Sequence, residues 1–374
     1  MRTYILTGGT GFLGLYLSRE ILNHGDRIIF IGRARNGLSF RERMSNALGS
    51  YEARSAEFVE ADIVDGEVKS MIESVSRIPW PVDGVWHLAA DLSFNPKNRE
   101  RVFSVNIGGT RNAIKLSENL KCPLYYISTA YVHGRRSGVA FERYEARPKK
   151  FNNAYEESKF ETEQLIKNAS NLKTVIFRPS ILIDHDTKRT SNFGYYSFIV
   201  SMLQFRDALK LNDYQIAYIP FPFFYYSKSL LNLMPVTTAV TMMYRISQDA
   251  RSQGKIFHIC NPNPFPVGDI FKQTLDALCV RIPLFGVPKA IALVYFVMFS
   301  FFGSFMKSFR SIAKRIKYFK WYIIERISYD MTNTKELSGD NFGDSFKFPS
   351  DYIYITASSF CSRIRSQSHE NIKY

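Results

Sequence analysis

Residues 7–14 read TGGTGFLG, between an apolar run at Arg2–Leu6 and an amphipathic stretch at Leu13–His24. Apolar residues recur at helical spacing in that stretch, so the segment reads as strand, glycine turn and helix. Glycine at three-residue spacing permits a tight turn, close backbone approach to a pyrophosphate, and close packing of helix on strand. The helix N-terminus would present free N–H groups to the phosphates. We therefore predict a dinucleotide site that includes Gly8, Gly11, Phe12, Leu13 and Gly14.

The rest of the first half alternates short apolar runs with amphipathic stretches, which predicts parallel strands joined by crossover helices. The strand candidates are Arg2–Leu6, Arg27–Ile31, Ala56–Glu60, Gly84–Leu88, Leu124–Ser128 and Thr174–Arg178, with a later addition at Phe257–Ile259. The pattern predicts an α/β fold: a doubly wound parallel Rossmann-type sheet with a smaller, mostly helical C-terminal substrate domain. We assign residues 1–180 to the dinucleotide-binding domain, with returns to the sheet at about 230–262, and residues 181–366 to the substrate domain.

Composition limits the class of protein. The chain has 374 residues, of which 45% are hydrophobic and 22% charged, and this excludes a disordered or low-complexity protein. Its four cysteines lie far apart without metal-ligand spacing, so we expect free thiols, a reducing compartment and no metal site. The apolar run before the glycine turn is too short for a secretory signal, which favours a cytoplasmic location.

The end of the second strand indicates which nicotinamide dinucleotide the site prefers. An acidic residue there hydrogen-bonds the ribose hydroxyls of NAD, whereas arginine accommodates a 2′-phosphate. This chain has Arg33 and Arg35 and no carboxylate at that point, so we expect NADP(H). Asp62 and Ile63, after the third strand, are placed to meet the adenine edge.

Candidate catalytic residues lie on the next two elements. Tyr155 and Lys159 are four residues apart in a helical stretch and share one face. A free tyrosine has a pKa of about 10 and is a poor acid–base group, but a neighbouring ammonium brings its pKa nearer neutrality. A hydroxyl after the fifth strand, at Ser128 or Thr129, could hold a substrate carbonyl while Tyr155 donates its proton.

Taken together, these motifs resemble the extended short-chain dehydrogenase/reductase superfamily over roughly residues 1–270. Further matches follow in the same order: His87-Leu88-Ala89-Ala90, Asn106 with Gly109-Thr110, and Arg178-Pro179-Ser180. The resemblance implies that Thr129, Tyr155 and Lys159 are catalytic. It also implies that the cofactor is bound by Gly8, Gly11, Phe12, Leu13, Gly14, Arg33, Asp62, Ile63, Ala89, Asn106, Ser128, Tyr155, Lys159 and Pro179.

Within that superfamily, residues 87–91, 128–134, 155–161, 233–236 and 257–262 are similar to the fatty acyl-CoA reductase and thioester reductase branch. The similarity implies NADPH-dependent reduction of an apolar acyl thioester, carried by coenzyme A or an acyl carrier protein, to an aldehyde and, with a second hydride, an alcohol. Three alternatives stay open. They are a 3β-hydroxysteroid-type or other alcohol dehydrogenase, a nucleotide-sugar epimerase, and a non-catalytic dinucleotide-binding protein.

The C-terminal third contains an apolar, basic helical segment at residues 288–327. Residues 290–306 carry no charge, and the cations Lys307, Arg310, Lys314, Arg315, Lys317 and Lys320 follow, interleaved with Phe309 and other apolar residues. With a net charge of +15, this pattern favours a basic amphipathic helix on an anionic membrane surface. A membrane-spanning helix and a buried helix lining an acyl tunnel are the alternatives. The cations alternate with aliphatic residues and no recognition motif appears, so we expect no nucleic acid partner.

Overall fold

A seven-stranded parallel sheet forms the centre of the protein. Its strands are β1 (Thr3–Thr7), β2 (Arg27–Gly32), β3 (Ala56–Glu60), β4 (Gly84–His87), β5 (Leu124–Ile127), β6 (Thr174–Pro179) and β7 (Ile256–Ile259). They pair in the order β7-β6-β5-β4-β1-β2-β3, and every pairing is parallel. The order reverses between β1 and β4, which is where ligands bind in doubly wound sheets. The predicted Rossmann-type sheet is thereby confirmed.

This computed structural model describes residues 1–49, 56–64, 68–169, 171–184, 194–208, 215–305, 310–339, 342, 346 and 348–370. Met306, Lys307 and Phe309 of the apolar, basic segment lie outside the described residues. The helices are α1 (Phe12–Asn23), α2 (Phe40–Leu48), α3 (Val68–Ser76), α4 (Arg99–Phe103), α5 (Gly109–Leu120), α6 (Ala154–Asn168), α7 (Tyr195–Ala208), α8 (Val236–Gln248), α9 (Val267–Ala277), α10 (Lys289–Phe302), α11 (Arg310–Phe319), α12 (Thr332–Ser338) and α13 (Tyr352–Glu370).

Short strands join the later segments to one another. Four pairs are parallel: Gly138–Ala140 with Ile327–Tyr329, Ile181–Ile183 with Leu233–Pro235, Ala217–Tyr218 with Val280–Arg281, and Phe223–Tyr226 with Leu284–Val287. Leu230–Leu231 pairs antiparallel with Phe265–Pro266. The first of these pairs brings the chain after α11 back beside the segment that follows β5.

Both faces of the sheet are buried, which explains why its strands are apolar without alternation. On one face Leu6 and Trp86 pack with residues of α1 and α8, and on the other Ile5 packs with residues of α3 and α5. A separate core joins α7, α9, α10, α11 and α13. The division into two domains stays a prediction. The short pair of Ile181–Ile183 with Leu233–Pro235 connects the segments of this second core to the segments around the sheet, so the two are continuous.

The apolar and basic helices differ from the expected arrangement. Ile312 and Ile316 of α11 are buried in the second core, whereas Arg310, Lys314 and Lys317 are exposed. Packing against α7 therefore occupies the face that the sequence analysis placed in a membrane surface. In α10 the situation is reversed: Ala292 and Phe296 are buried, while most of its other large apolar residues are exposed. Within the described ranges, no helix combines the length and the apolar character that crossing a bilayer requires.

Candidate active site

The glycine turn between β1 and α1 forms a backbone cradle. Gly8 has φ +78° and accepts a hydrogen bond of 2.9 Å from the Gly11 amide. A Cβ atom on Gly14 would lie 2.2 Å from the Gly8 carbonyl oxygen, and one on Gly8 would lie 2.7 Å from the Ala89 amide nitrogen. Only glycine fits these positions, so the helix N-terminus stays open to a phosphate group.

A cavity of about 480 Å³ runs from this cradle across the carboxyl ends of the strands. Nearly all the predicted site residues line it: Gly8, Gly11, Phe12, Leu13, Gly14, Arg33, Asp62, Ile63, Ala89, Ser128, Thr129, Tyr155, Lys159 and Pro179. The structure therefore brings together the catalytic and cofactor residues that the sequence analysis proposed. Asn106 is the exception.

Asn106 lies behind the cavity wall, in a π-helical turn (Ser104–Gly108) between α4 and α5. Its side-chain oxygen accepts from the Asp91 amide at 2.7 Å, and its nitrogen donates to the Asp91 carbonyl at 3.1 Å and to Ser158 Oγ at 2.8 Å. The asparagine thus ties the loop after β4 to the helix that carries Tyr155. The structure supports positioning through that loop.

Three arginines gather at the far end of the cavity. Arg33 is exposed and pairs with Asp62 at 2.8 Å, so two predicted cofactor residues contact each other. Arg43 of α2 donates to the Arg33 carbonyl at 2.6 Å and to Thr10 Oγ1 at 3.4 Å. Burial and the charges of Arg35 and Arg33 lower the pKa of Arg43. Such a cluster of like charges favours an anion between them.

Thr129 and Tyr155 meet at the other end of the cavity. Asn153 caps α6 by accepting from the Glu156 amide at 3.0 Å, which fixes the first turn and directs Tyr155 into the cavity. The Thr129 hydroxyl lies near that of Tyr155. Burial and the Glu156 charge raise the pKa of Tyr155, while the Thr129 hydroxyl opposes that rise. The phenol therefore remains protonated at neutral pH.

The side chain of Lys159 is hydrogen-bonded to strand β5. Its Nζ donates to the Ile127 carbonyl at 2.6 Å and to the Tyr126 hydroxyl at 3.1 Å, at the end of β5. Burial lowers the pKa of Lys159 to about 7. Burial and the Lys159 charge lower the pKa of His87 to about 3, so that imidazole is neutral. The ammonium is thus directed towards the end of β5, and its effect on the pKa of Tyr155 stays a prediction.

The Ser128 hydroxyl is hydrogen-bonded to a buried ion pair beneath the cavity floor. Its hydroxyl donates to the Glu163 carboxylate at 2.5 Å, and Arg178 binds the same carboxylate at 2.7 Å with both side chains almost fully buried. A carboxylate with two such donors is well satisfied in low dielectric. Of the two neighbouring hydroxyls, Thr129 is therefore the one that acts on Tyr155.

A second buried carboxylate, missed from the sequence, lies beside Tyr155. Glu156 accepts hydrogen bonds from the Tyr322 hydroxyl and from the amide and side chain of Asn152, at 2.9 and 3.1 Å. Burial raises the pKa of Glu156 to about 7. Tyr322 comes from the chain after α11 and stacks on Phe94, with ring centres 6.1 Å apart. These residues close the cavity on the side of Tyr155.

A basic and aromatic cluster adjoins this closed side. Trp321 precedes the cavity residue Tyr322, and the Arg135 guanidinium lies 4.6 Å from the centre of its ring. Lys320 Nζ lies 5.4 Å from the same ring. Burial and the charges of Arg135 and Lys317 lower the pKa of Lys320, so both cations are close enough to Lys320 to repel its ammonium. We call Arg135, Lys317, Lys320 and Trp321 the rim cluster.

Comparison with known proteins places these features in a family. The model of a family of NAD-binding proteins, described as Male sterility protein, matches residues 6–243. Among curated proteins, the polyketide synthase-nonribosomal peptide synthetase ffsA of Aspergillus flavipes is 28% identical over 198 residues, 50% of this chain. The nonribosomal peptide synthetase asaC of Aspergillus flavus is 26% identical over 288 residues, 71% of this chain. The aligned segments make up only 5% and 26% of those two fungal proteins.

Solved structures show the same architecture. The terminal R domain from the myxalamid PKS-NRPS biosynthetic pathway matches with a TM-score of 0.74 and 22% identity, over 98% of this chain and 92% of that domain. This likeness confirms the α/β fold. With the family match, it also confirms the predicted relationship to extended short-chain dehydrogenases/reductases.

Proposed function

Since the chain belongs to the Male sterility protein family of NAD-binding proteins, we propose that it reduces an apolar acyl thioester with NADPH. The observation that carries the proposal is the placement of Thr129 and Tyr155 side by side in the wall of the cavity that also contains the glycine cradle. Two hydroxyls that meet at one point can both donate to a carbonyl oxygen there. The related segments of large synthetases and the R-domain fold support a thioester as the substrate.

The arginine cluster supports NADPH over NADH. Arg33, Arg35 and Arg43 line the cavity beyond the glycine cradle, and β2 ends without a carboxylate that would bind ribose hydroxyls. A planar guanidinium binds phosphate through two parallel hydrogen bonds. The cradle would hold the pyrophosphate, and the three arginines would hold the 2′-phosphate. When bound, the cofactor supplies the hydride.

The chain's own groups act on the substrate carbonyl. The Thr129 and Tyr155 hydroxyls donate to the carbonyl oxygen and so stabilise the negative charge that develops there. Tyr155 then transfers its proton to that oxygen to give a hemithioacetal, and its raised pKa keeps the proton in place until the charge appears. The C–S bond of the hemithioacetal then breaks, the hydroxyl proton passes to the sulfur, and aldehyde and free thiol result. Asn106 and the first turn of α6 hold the two hydroxyls in position through the loop after β4 and through Ser158. Asn106 is therefore a positioning residue.

The substrate end of the cavity is apolar. Its wall includes Leu92, Phe94, Ile181, Leu182 and Phe319. A hydrocarbon chain buries its surface against such side chains at about 25 cal/mol per Å². A sugar would leave hydroxyl groups facing aromatic rings and methyl groups, at a cost for each unpaired group. This wall supports an acyl chain over the nucleotide sugar considered above.

The rim cluster is suited to bind the carrier to which the acyl group is attached through sulfur. Arg135 and Lys320 adjoin the closed side of the cavity beside Tyr322. Coenzyme A and the prosthetic arm of a carrier protein both carry a phosphate on pantetheine, at a distance from the sulfur. Two cations beside an aromatic ring favour such an anion. The cluster therefore fits either carrier.

The deciding experiment follows NADPH oxidation with palmitoyl-CoA, with hexadecanal and NADH in parallel. We expect oxidation with the thioester, faster with NADPH than with NADH. The ratio of NADPH consumed to thiol released then separates an aldehyde product, at one to one, from an alcohol, at two to one. Turnover of the aldehyde without turnover of either a coenzyme A or a carrier-protein thioester would move the protein to the alcohol dehydrogenases.

A further inference from the structure

The helix α10 presents a continuous apolar face outside the protein. Ile291, Val294, Val297, Met298, Phe301 and Phe302 are each more than half exposed, and Phe305 directly after the helix is 72% exposed. No charged residue occurs between positions 290 and 305. Single exposed apolar residues are common on proteins, but a contiguous face of seven marks a surface that binds something. We call these seven residues the apolar face.

The apolar face is held in a fixed position. The opposite side of α10 buries Ala292 and Phe296 in the second core, and the Tyr295 hydroxyl donates to the Pro222 carbonyl at 3.2 Å. Fourteen residues extend the helix for about 21 Å along the protein surface. The helix therefore lies against the protein along its whole length, and its exposed side chains point away together.

Aromatic residues of neighbouring segments adjoin the same helix. Phe285 contacts Phe224, whose ring centre lies 5.2 Å from that of Tyr295. Phe285 is 51% exposed, and Phe221, next to the Pro222 that Tyr295 bonds, is 69% exposed. The apolar surface thus extends beyond one helix.

Cations lie beside the aromatic end of this surface. Arg310 donates to the Ser304 carbonyl at 3.2 Å, which puts a guanidinium next to Phe301, Phe302 and Phe305. Lys314 and Lys317 follow on the exposed side of α11. A flat apolar surface bordered by cations matches the boundary between acyl chains and anionic headgroups. A second copy of this chain fits less well, because each copy carries a net charge of +15 and the two would repel.

We propose that the apolar face docks on an anionic lipid bilayer, with α10 in the plane of the membrane surface and the cations of α11 at the headgroup phosphates. The contact is made by α10, because the apolar side of α11 is buried in the protein. This inference goes beyond the reduction proposed above and does not depend on it. The inference predicts that the protein is located at a membrane surface. A catalytically inactive variant would therefore bind membranes equally well.

Vesicle flotation tests the docking surface. We expect the protein to float with phosphatidylcholine vesicles that contain phosphatidylglycerol and to bind less to phosphatidylcholine alone. Val294→Asp/Phe301→Asp puts two carboxylates on the apolar face and should weaken partitioning at least about tenfold. The control Tyr354→Asp/Ile355→Asp changes two exposed apolar residues of α13 by the same charge and should float like the unmodified protein.

A charge variant keeps the test decisive if the first one is unstable. Arg310→Glu/Lys314→Glu leaves the apolar face intact and should remove the preference for phosphatidylglycerol. Reduction of a water-soluble short-chain thioester, measured without vesicles, should be unchanged in all variants. The proposal is overturned if the protein does not float with either vesicle, if Val294→Asp/Phe301→Asp floats undiminished, or if that variant instead converts a dimer into a monomer.

Discussion

The Tyr322 hydroxyl donates a hydrogen bond to the carboxylate of Glu156, across 166 residues of sequence. Glu156 follows Tyr155, the proposed proton donor, in the first turn of α6, whereas Tyr322 belongs to the chain after α11. Asn153, the residue that caps α6, donates to the same hydroxyl at 2.8 Å. A buried polar network thereby links the last third of the chain to the start of α6.

The first prediction concerns the pH dependence of stability. The pKa of Glu156 is raised from 4.5 to about 7 by burial, so the folded protein holds a proton that the unfolded chain has lost between those values. The stability that this proton contributes, at most about 3 kcal/mol, is complete below pH 4.5 and is lost as the pH rises through 7. Glu156→Gln should therefore lose less stability than the unmodified protein between pH 5 and pH 8, measured by urea unfolding.

Glu157→Gln is the matched control for that measurement. Hydrogen bonding to Arg99 lowers the pKa of Glu157 below its ordinary 4.5, so it stays ionised throughout the interval and its variant should show the unmodified difference. An identical loss of stability in Glu156→Gln and in the unmodified protein would show that Glu156 does not titrate there.

The second prediction concerns the proton donor. Tyr155→Phe removes the hydroxyl beside Thr129 and keeps the ring, so turnover should fall at least about a hundredfold. Affinity for NADPH, followed by fluorescence titration, should stay within about twofold because the ring still fills the same space. Tyr354→Phe, on the exposed side of α13, serves as the control. Retained turnover in Tyr155→Phe would assign the proton to another group.

The third prediction concerns cofactor choice. Arg43→Ala should weaken NADPH binding about tenfold or more and change NADH binding little, because a charge-assisted hydrogen bond to phosphate is lost. Arg41→Ala removes a guanidinium from the same helix that instead pairs with Glu57 at 4.0 Å, so it should leave both affinities unchanged. Equal weakening of NADPH and NADH by Arg43→Ala would mean that no phosphate binds between the arginines.

The fourth prediction concerns the rim cluster. Arg135→Ala/Lys320→Ala should raise the KM for palmitoyl-CoA about fivefold, while the KM for the N-acetylcysteamine thioester, which has no phosphate, stays constant. The control Lys69→Ala/Lys115→Ala removes the same charge from exposed positions on α3 and α5. A similar rise for both substrates would attribute the effect to the cavity wall rather than to a phosphate.

Local signals in the sequence were enough to predict the sheet and most of the site. The glycine turn, Thr129, Tyr155 and Lys159 each follow or begin a strongly patterned element, and parallel strands bring such ends to one edge. Arg43 was missed because it joins Arg33 only after α2 folds back over β2. The sequence signal for Arg43 was its place in α2, the helix that follows Arg33 and Arg35.

Contacts between distant segments could not be predicted in this way. No local pattern marks Glu156 as buried, because the residue that covers it is the distant Tyr322. The direction of the Lys159 ammonium likewise depends on the carbonyl at the end of β5. The exposure of α10 is a further case. An all-apolar helix carries no periodic signal that distinguishes its buried side from its exposed one.

The position of Tyr322 and Phe319 in the cavity wall also bears on the order in which the protein is made. During synthesis the glycine cradle leaves the ribosome first. Tyr155 follows, well before residues 319–322, which cover the cavity beside Tyr155. The emerging chain can hold a complete cofactor cradle while its reactive hydroxyls still face water. Catalytic competence should therefore arise late in synthesis, when residues 319–322 close the pocket, and a nascent chain halted before them would bind dinucleotide without turning it over.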